Sequence, residues 1–409
     1  MVDKLKKYYQ SLSMNEWLLL LFLGVFPFDK HAAVFVLYAL SLSVLVTFKK
    51  ETLKQRFIEN KALLLLPLLY ILFLIRFAIE GKFTSEVEKK ISLLVVPVLF
   101  VLARFNWKIL YSKALKIYLL SSVLSLLLCF VLASVNYVET KDSSYLFYDK
   151  FSLIHAGHYS MMLCLAFSIA LYFVLFDNAG KKQKILLAFC AIFLALGLFL
   201  LTAKAALISM FVIAFVFLVW YIKQTRQWGK AAVVSSLFLL FSVASYFVLP
   251  EFKYRVDTFI SSLQSNPKYA DSTSLRKEIW SSATDLIADN PLSGYGSAAN
   301  DLLFESYSKK HTSYEFQKKY NAHNTFLQIT LSVGLAGLLL LIIISLKAFY
   351  VAFKTNDFVF LSYLIILLAA FSTESMLETE AGILYFSMFY CLFMITKKAI
   401  ANDVQSTLI

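Results

Sequence analysis

The sequence predicts an all-α polytopic membrane protein with about twelve transmembrane helices and one large helical loop on the outer, periplasmic side. Three observations predict it. The chain is 60% apolar and only 16% charged, against about 45–50% and about 25% in soluble domains. Its apolar residues fall in runs of roughly twenty, the length that crosses a ~30 Å hydrocarbon layer at 1.5 Å per residue. Its Lys and Arg residues cluster between alternate runs, as in a chain whose orientation is fixed by charge.

In chain order, the expected spans are 15–28, 31–48, 62–79, 90–103, 113–134, 153–176, 185–202, 205–222, 231–249, 324–353, 358–374 and 380–396. Pro27 and Pro97 would bend the short first and fourth, so eleven spans is the alternative. The tenth is longer than a perpendicular crossing needs and should tilt or project. MVDKLKKYYQSLSMNEW at the amino terminus is basic and then apolar, without a small-residue cleavage site, and reads as a retained first span. Cys129, Cys164, Cys190 and Cys391 lie inside apolar runs and read as small packing residues, not a disulfide framework.

The net charge of +13 does not indicate a nucleic-acid partner, because no basic, aromatic groove accompanies it. With the amino terminus inside, the inner segments hold Lys49, Lys50, Lys54 and Arg56, then Arg104 and Lys108, then Lys181, Lys182 and Lys184. Lys223, Arg226, Lys397 and Lys398 continue the pattern, whereas the outer turn ESMLETE at 374–380 is acidic. This predicts an inner-membrane protein with both termini cytoplasmic. Its parts are 1–249 with nine spans, the loop 250–322, and 323–409 with the last three spans and a tail.

The loop 250–322 carries nine Lys/Arg and nine Asp/Glu; an unstructured stretch that long is unusual, so an ordered, functional loop is expected. Leu275, Ile279, Trp280, Ala283, Leu286 and Ile287 recur at helical spacing, predicting an amphipathic helix against the membrane or the bundle. Asp271, Ser272 and Ser274 are its cap candidates and Asn290-Pro291 its end. Gly294 and Gly296 mark a turn, and shorter helices are expected at 300–309 and 313–320.

His323 is the first candidate for chemistry: an imidazole with an ordinary pKa near ~6.5 can take a proton from a hydroxyl nucleophile at neutral pH. The alternative is an interfacial anchor. Asn324 beside it could orient a substrate, and Gly334 and Gly337 read as a small patch where another helix packs closely. Arg255 and Arg276 offer planar guanidinium forks for a lipid diphosphate, with a solvated face as the bland alternative. Lys204 sits in the minimal outer connection LTAKAALIS, where it either binds an anion or snorkels. His155 and His158 open the sixth span on one helical face; substrate contact or anchoring fits them better than a metal, for which no third ligand is evident. Glu374, Glu378 and Glu380 lie at the outer mouth of the last two spans, suited to orienting a histidine or binding sugar hydroxyls, or forming only an acidic turn. No phosphate-cradling glycine loop, zinc spacing or serine-nucleophile motif is present, so no cofactor is expected.

His323-Asn324, followed by Gly334 and Gly337, resembles the signature of the O-antigen ligase family, which also holds O-antigen polymerases and protein O-oligosaccharyltransferases. Arg255, the stretch SLRKEIWSSATDLIADNPLSGYGSAAND with Arg276, and TESMLETEAGILYFSMFY are similar to the family's loop and carboxyl-terminal end. The resemblance implies a GT-C-like fold and a metal-independent, inverting glycosyltransferase. Its donor would be an undecaprenyl diphosphate-linked glycan and its acceptor lipid A-core (ligase) or another carrier-linked glycan (polymerase). It implies His323 as general base and Arg255 and Arg276 on the diphosphate, with Lys204 as a third cation. Ala203-Lys204 stands where many members have Ser-Arg, which keeps the charge but loses the bidentate fork.

A transporter or flippase for a polysaccharide-related solute is the competing class. It would place ionisable residues at mid-membrane, whereas Arg76 and Glu80 fall towards an outer helix end.

Overall fold

The computed structural model describes residues 12–48, 50, 53–80, 85–177, 180–262, 272–310 and 321–406. It is all-helical, without a strand among those residues. The helices are α1 Met14–Val25, α2 Lys30–Thr47, α3 Leu53–Glu59, α4 Leu65–Ile79, α5 Ser85–Lys89, α6 Ser92–Leu102, α7 Trp107–Thr140, α8 Tyr148–Phe151 and α9 Ala156–Phe176. They continue with α10 Lys181–Leu201, α11 Lys204–Thr225, α12 Trp228–Val248, α13 Pro250–Ser262, α14 Ser272–Asp289, α15 Ala299–Lys310, α16 Thr325–Lys354, α17 Phe358–Thr373 and α18 Glu380–Ser406.

Every expected apolar run is largely helical. Among the described residues, six helices (α2, α7, α9, α10, α11 and α16) are long and apolar enough to cross a membrane, and further apolar helices are shorter. The chain is therefore a helical membrane protein; a count of twelve crossings goes beyond what those lengths establish. Helix α9 is the hub, with Tyr159, Met162, Leu163, Cys164, Leu165 and Ala166 fully or almost fully buried. By contrast, α2 leaves Phe35, Leu42 and Val46 exposed, as a lipid-facing helix should. Cys129, Cys164 and Cys391 are buried free thiols and Cys190 is half-buried, consistent with packing.

Helix α7 is one unbroken helix of 34 residues, about 51 Å long at 1.5 Å per residue, so it overshoots a ~30 Å hydrocarbon core. It ends at Lys141, whose left-handed φ of 57° closes the last turn.

The loop forms a second small core. Ile279 and Ala283 of α14, Leu303 and Tyr307 of α15, Ala322 and Leu331 are buried together, with Leu275, Leu286 and Ile287 packed against them. The amphipathic face read from the sequence thus packs against α15 and α16. The expected helix at 313–320, and Asp271 as a cap, lie outside the described residues.

Helix α16 is broken at Gly334, where φ is 74° and ψ is −171°. An unbroken helix would pair the Leu335 amide with the Leu331 carbonyl. Here the Leu331 carbonyl accepts from Tyr295 N at 2.6 Å, and Leu335 N donates to the Pro291 carbonyl at 2.8 Å. The turn at 291–295 therefore satisfies the backbone groups that the break releases, as burial in an apolar medium demands. At Gly334 this corrects the expectation of a helix-packing residue. A Cβ on Gly334 would land on the Leu292 carbonyl, and one on Gly337 would meet Val333 of its own helix. Gly334 is there for a backbone conformation, and its neighbour is a turn.

Helix α4 pins that turn. Arg76 donates to the carbonyls of Ser293 at 2.8 Å and Gly294 at 3.0 Å while pairing with Glu80 at 2.6 Å. Glu80 in turn accepts from the amide and hydroxyl of Ser297 at 2.9 and 2.7 Å.

Candidate active site

Two short segments are stitched together at one end of the bundle. Asn324 caps α16 by accepting from Leu327 N at 3.1 Å, and its side-chain amide donates to the Ser372 carbonyl at 3.3 Å. The Thr325 hydroxyl donates to the Glu374 carbonyl at 2.7 Å and accepts from Met376 N at 3.0 Å. From the other side, Trp280 Nε1 donates to the Ala322 carbonyl at 2.9 Å and Gln328 accepts from Ala322 N at 2.8 Å. His323 is held between these anchors with a left-handed φ of 43°. A non-glycine residue in that region is uncommon and marks a position over-determined by its surroundings.

The stitching brings His323 to Glu374, with Nδ1 3.4 Å from Oε2. The other oxygen, Oε1, accepts from Arg276 of α14 at 2.8 Å. Burial pushes the Glu374 carboxyl up, but the His323 hydrogen bond and the Arg276 charge outweigh it and hold the group below the ordinary 4.5. An ionised Glu374 only accepts, so the facing Nδ1 carries the hydrogen and Nε2 becomes the acceptor of the neutral ring.

Arg276 and Glu374 also line a cavity of about 60 Å³ together with Lys204, Arg255 and Tyr148. Lys204 is the first residue of α11, closely following the left-handed Thr202 that ends α10. Arg255 stacks its guanidinium 4.3 Å from the centre of the Tyr148 ring. The remaining walls are the start of α9 at Gly157 and Ser160 and the end of α17 at Ala370 and Thr373. Three cationic side chains thus share a partly enclosed space, where a fixed positive charge acts more strongly than in bulk water.

The other candidates do not line this cavity. His155 is the cap of α9, its Nδ1 accepting from Gly157 N at 3.3 Å, and its ring lies 5.6 Å from that of His158. His158 meets Thr379 Oγ1 at 2.8 Å. Glu378 is not at the cavity wall: it pairs at 3.1 Å with Lys90, which is 1% exposed, and so anchors the 374–380 turn to the start of α6. Glu380 faces Lys30 at 3.5 Å.

Tyr148 is the residue that sequence reasoning missed. Its backbone is left-handed at φ 53°, a true outlier for a bulky side chain. The only signal was an aromatic-rich stretch, SSYLFYDKF, in a short connection.

Fold and site together define a helical membrane protein with a cation-lined cavity at one end of its bundle and a histidine–carboxylate–arginine relay on its rim. Residues 189–342 match the family described as O-antigen ligase. This is the family that His323-Asn324, Gly334 and Gly337 resemble, and it is one of glycosyltransferase-like membrane enzymes. The match runs from α10 into α16, so Lys204, Arg255, Arg276 and His323 lie inside it, while Tyr148 and Glu374 come from outside. No curated protein matches the chain.

Proposed function

We propose that the protein transfers a glycan from an undecaprenyl diphosphate carrier to an acceptor hydroxyl at the periplasmic face of the bacterial inner membrane. As an O-antigen ligase, it would take lipid A-core as acceptor. The observation that carries this reading is the shared carboxylate: Glu374 joins His323 to Arg276 at a cavity that also holds Lys204 and Arg255.

In this reaction the acceptor oxygen forms a bond to the anomeric carbon as the bond from that carbon to the diphosphate oxygen breaks. The diphosphate leaves with the electron pair. His323 Nε2 takes the hydroxyl proton, and ionised Glu374 stabilises the imidazolium that forms. Arg255, Arg276 and Lys204 meet the charge developing on the leaving group, a contribution that is largest where water is partly excluded. Attack opposite the leaving group inverts the anomeric centre, and the cations provide the electrostatic role that a metal plays elsewhere. A diphosphate that takes up Arg276 would draw it away from Glu374, leaving the carboxylate to His323 alone. Donor binding and activation of the base are coupled by that exchange.

The test is transfer in vitro with defined carrier-linked glycan and lipid A-core. His323→Ala and Arg276→Ala, made at normal levels, should lower turnover by about 10²–10⁴-fold, the usual worth of general acid–base help. Full-length glycan still reaching lipid A-core at the wild-type rate in both variants overturns the reading.

Polymerase activity is the second reading, favoured by Lys204 standing where a bidentate Arg is common among the proteins it resembles. Loss of a polymerase leaves single repeat units transferred, whereas loss of a ligase leaves polymer on the carrier, and gel banding separates the two. A flippase is disfavoured because the cations gather at helix ends. Turnover by purified protein in detergent, without a gradient, would eliminate it.

A further inference from the structure

A second pocket, of about 250 Å³, opens far from the cavity just described. Arg56 and Asn60, flanking the end of α3, form one wall with Glu59 beside them; Arg104, between α6 and α7, forms another. Phe100, Phe105 and Trp107 make the floor, stacked or edge-on with ring centres 4.9 to 5.8 Å apart. We propose that this pocket binds the phosphate-bearing headgroup of an anionic lipid between its two arginines.

Location supports it first. Trp107 is the first residue of α7, whereas Tyr148, at the other cavity, follows that helix's last turn. A 34-residue helix is about 51 Å long, so the two pockets stand at opposite membrane surfaces, each at headgroup depth for a ~30 Å core. The exposed Ile58 and Ile109 on the adjoining helices give acyl chains an apolar surface.

Charge supports it second. Arg56 is fixed by donating to the carbonyls of Leu102 at 2.7 Å and Ala103 at 3.3 Å, but a guanidinium has five donor hydrogens and this leaves further ones for the pocket. Burial and the nearby charge of Arg104 both lower the Arg56 pKa, with Glu59 opposing. An anion placed between the two guanidinium groups gains from both charges and relieves their repulsion. Glu59 acts on Arg56 from the same wall, and it is itself engaged by Gln55 Nε2 at 2.7 Å. Basic pockets between transmembrane helices on the positive side of a membrane protein are known to hold anionic headgroups. This site is independent of the transfer reaction, and neither reading depends on the other.

The full chain in nanodiscs of phosphatidylcholine should be titrated with phosphatidylglycerol, reading lipid retained by native mass spectrometry and the Tm. Wild type should retain about one phosphatidylglycerol and show a saturable rise in Tm. Arg104→Glu should weaken retention by about 10- to 100-fold, the worth of charge-assisted hydrogen bonds. Lys181→Glu, the same charge change elsewhere at that end, should leave retention intact. Arg56→Gln is a poor probe because it also removes the cap on α6. Equal retention by wild type and Arg104→Glu, or equal loss in Lys181→Glu, overturns the proposal. So does an equal Tm rise with inorganic phosphate in neutral discs, which would make the ligand free phosphate instead of lipid.

Discussion

His323 and Arg276 are joined through one carboxylate: Glu374 accepts from Arg276 at 2.8 Å with one oxygen and faces His323 Nδ1 at 3.4 Å with the other. Removing that carboxylate should affect both partners at once, in opposite directions. Glu374→Gln keeps the shape but cannot stabilise an imidazolium, so turnover should fall by about 10²-fold. Because Arg276 is released from its partner, donor KM should fall or stay level while kcat drops. Steady-state kinetics in detergent check it. A rise in KM at constant kcat would mean that Glu374 only shapes the donor site.

The same group predicts a pH dependence of stability. The folded pKa of Glu374 lies below its ordinary 4.5. In the unfolded chain the carboxyl therefore binds a proton at higher pH than in the folded one, and acid favours unfolding. The contribution is fully present above the ordinary value and is lost as pH falls through the depressed one. Thermal unfolding of wild type and Glu374→Gln between pH 7 and pH 3 should converge at the acid end. Parallel curves across that range would count against an ionised Glu374.

The apolar helices were legible because lipid leaves a chain little choice: a run such as 205–222 must satisfy its backbone internally and appears as Lys204–Thr225. The amphipathic spacing of Ile279, Ala283 and Leu286 was legible too, since burial on one face follows from period alone. His323, Arg276 and Lys204 could be singled out by residue type and family spacing. What could not be read is anything fixed by contacts distant in sequence. Gly334 breaks α16 because a turn well upstream takes over its backbone bonds. Glu378 is occupied by Lys90, which enters from another part of the chain. Tyr148 matters only because Arg255 comes to rest on its ring.

Gly334 should tolerate no side chain. Its φ of 74° with ψ near −171° is a region essentially confined to glycine and costs other residues about 1–3 kcal/mol. A Cβ would also strike the Leu292 carbonyl. Gly334→Ala should therefore lower the Tm by several degrees and expose the 291–295 turn to protease. At Gly337 the atoms nearest an added Cβ are the Val333 and Ile329 side chains, which can shift more easily than a backbone carbonyl, so Gly337→Ala should be milder. Equal stability of Gly334→Ala and wild type would refute the exchange of backbone bonds between α16 and the turn.

Arg76 and Glu80 should act as one unit that holds the same turn. Arg76→Gln removes charge-assisted bonds to the carbonyls of Ser293 and Gly294, worth about 1.5–3 kcal/mol. Glu80→Gln weakens the hold on Ser297. The double variant should be less destabilised than the sum of the singles, because each single leaves a charge without its partner. Chemical or thermal unfolding of the four proteins gives the coupling. Strict additivity would mean that the two residues work separately.

Tyr148 should govern how Arg255 is presented to the donor. The ring supports the guanidinium at 4.3 Å, an interaction worth about 0.5–2 kcal/mol depending on exposure, and it keeps the planar fork in an orientation suited to two parallel bonds to phosphate oxygens. Tyr148→Ala removes that support and should raise donor KM by about 3- to 30-fold, a factor that follows from the same energy. Tyr148→Phe keeps the π-face and should behave like wild type. If Tyr148→Phe fails as badly as Tyr148→Ala, the hydroxyl is the working group, and Tyr148 would then bind the substrate itself instead of positioning Arg255. Arg255→Lys separates these outcomes. An ammonium can still rest on the ring but lacks the fork, so Arg255→Lys should raise KM equally with Tyr148 intact and in combination with Tyr148→Phe. Tyr148→Ala should then add little once Arg255 has been changed, because the group it served is already gone.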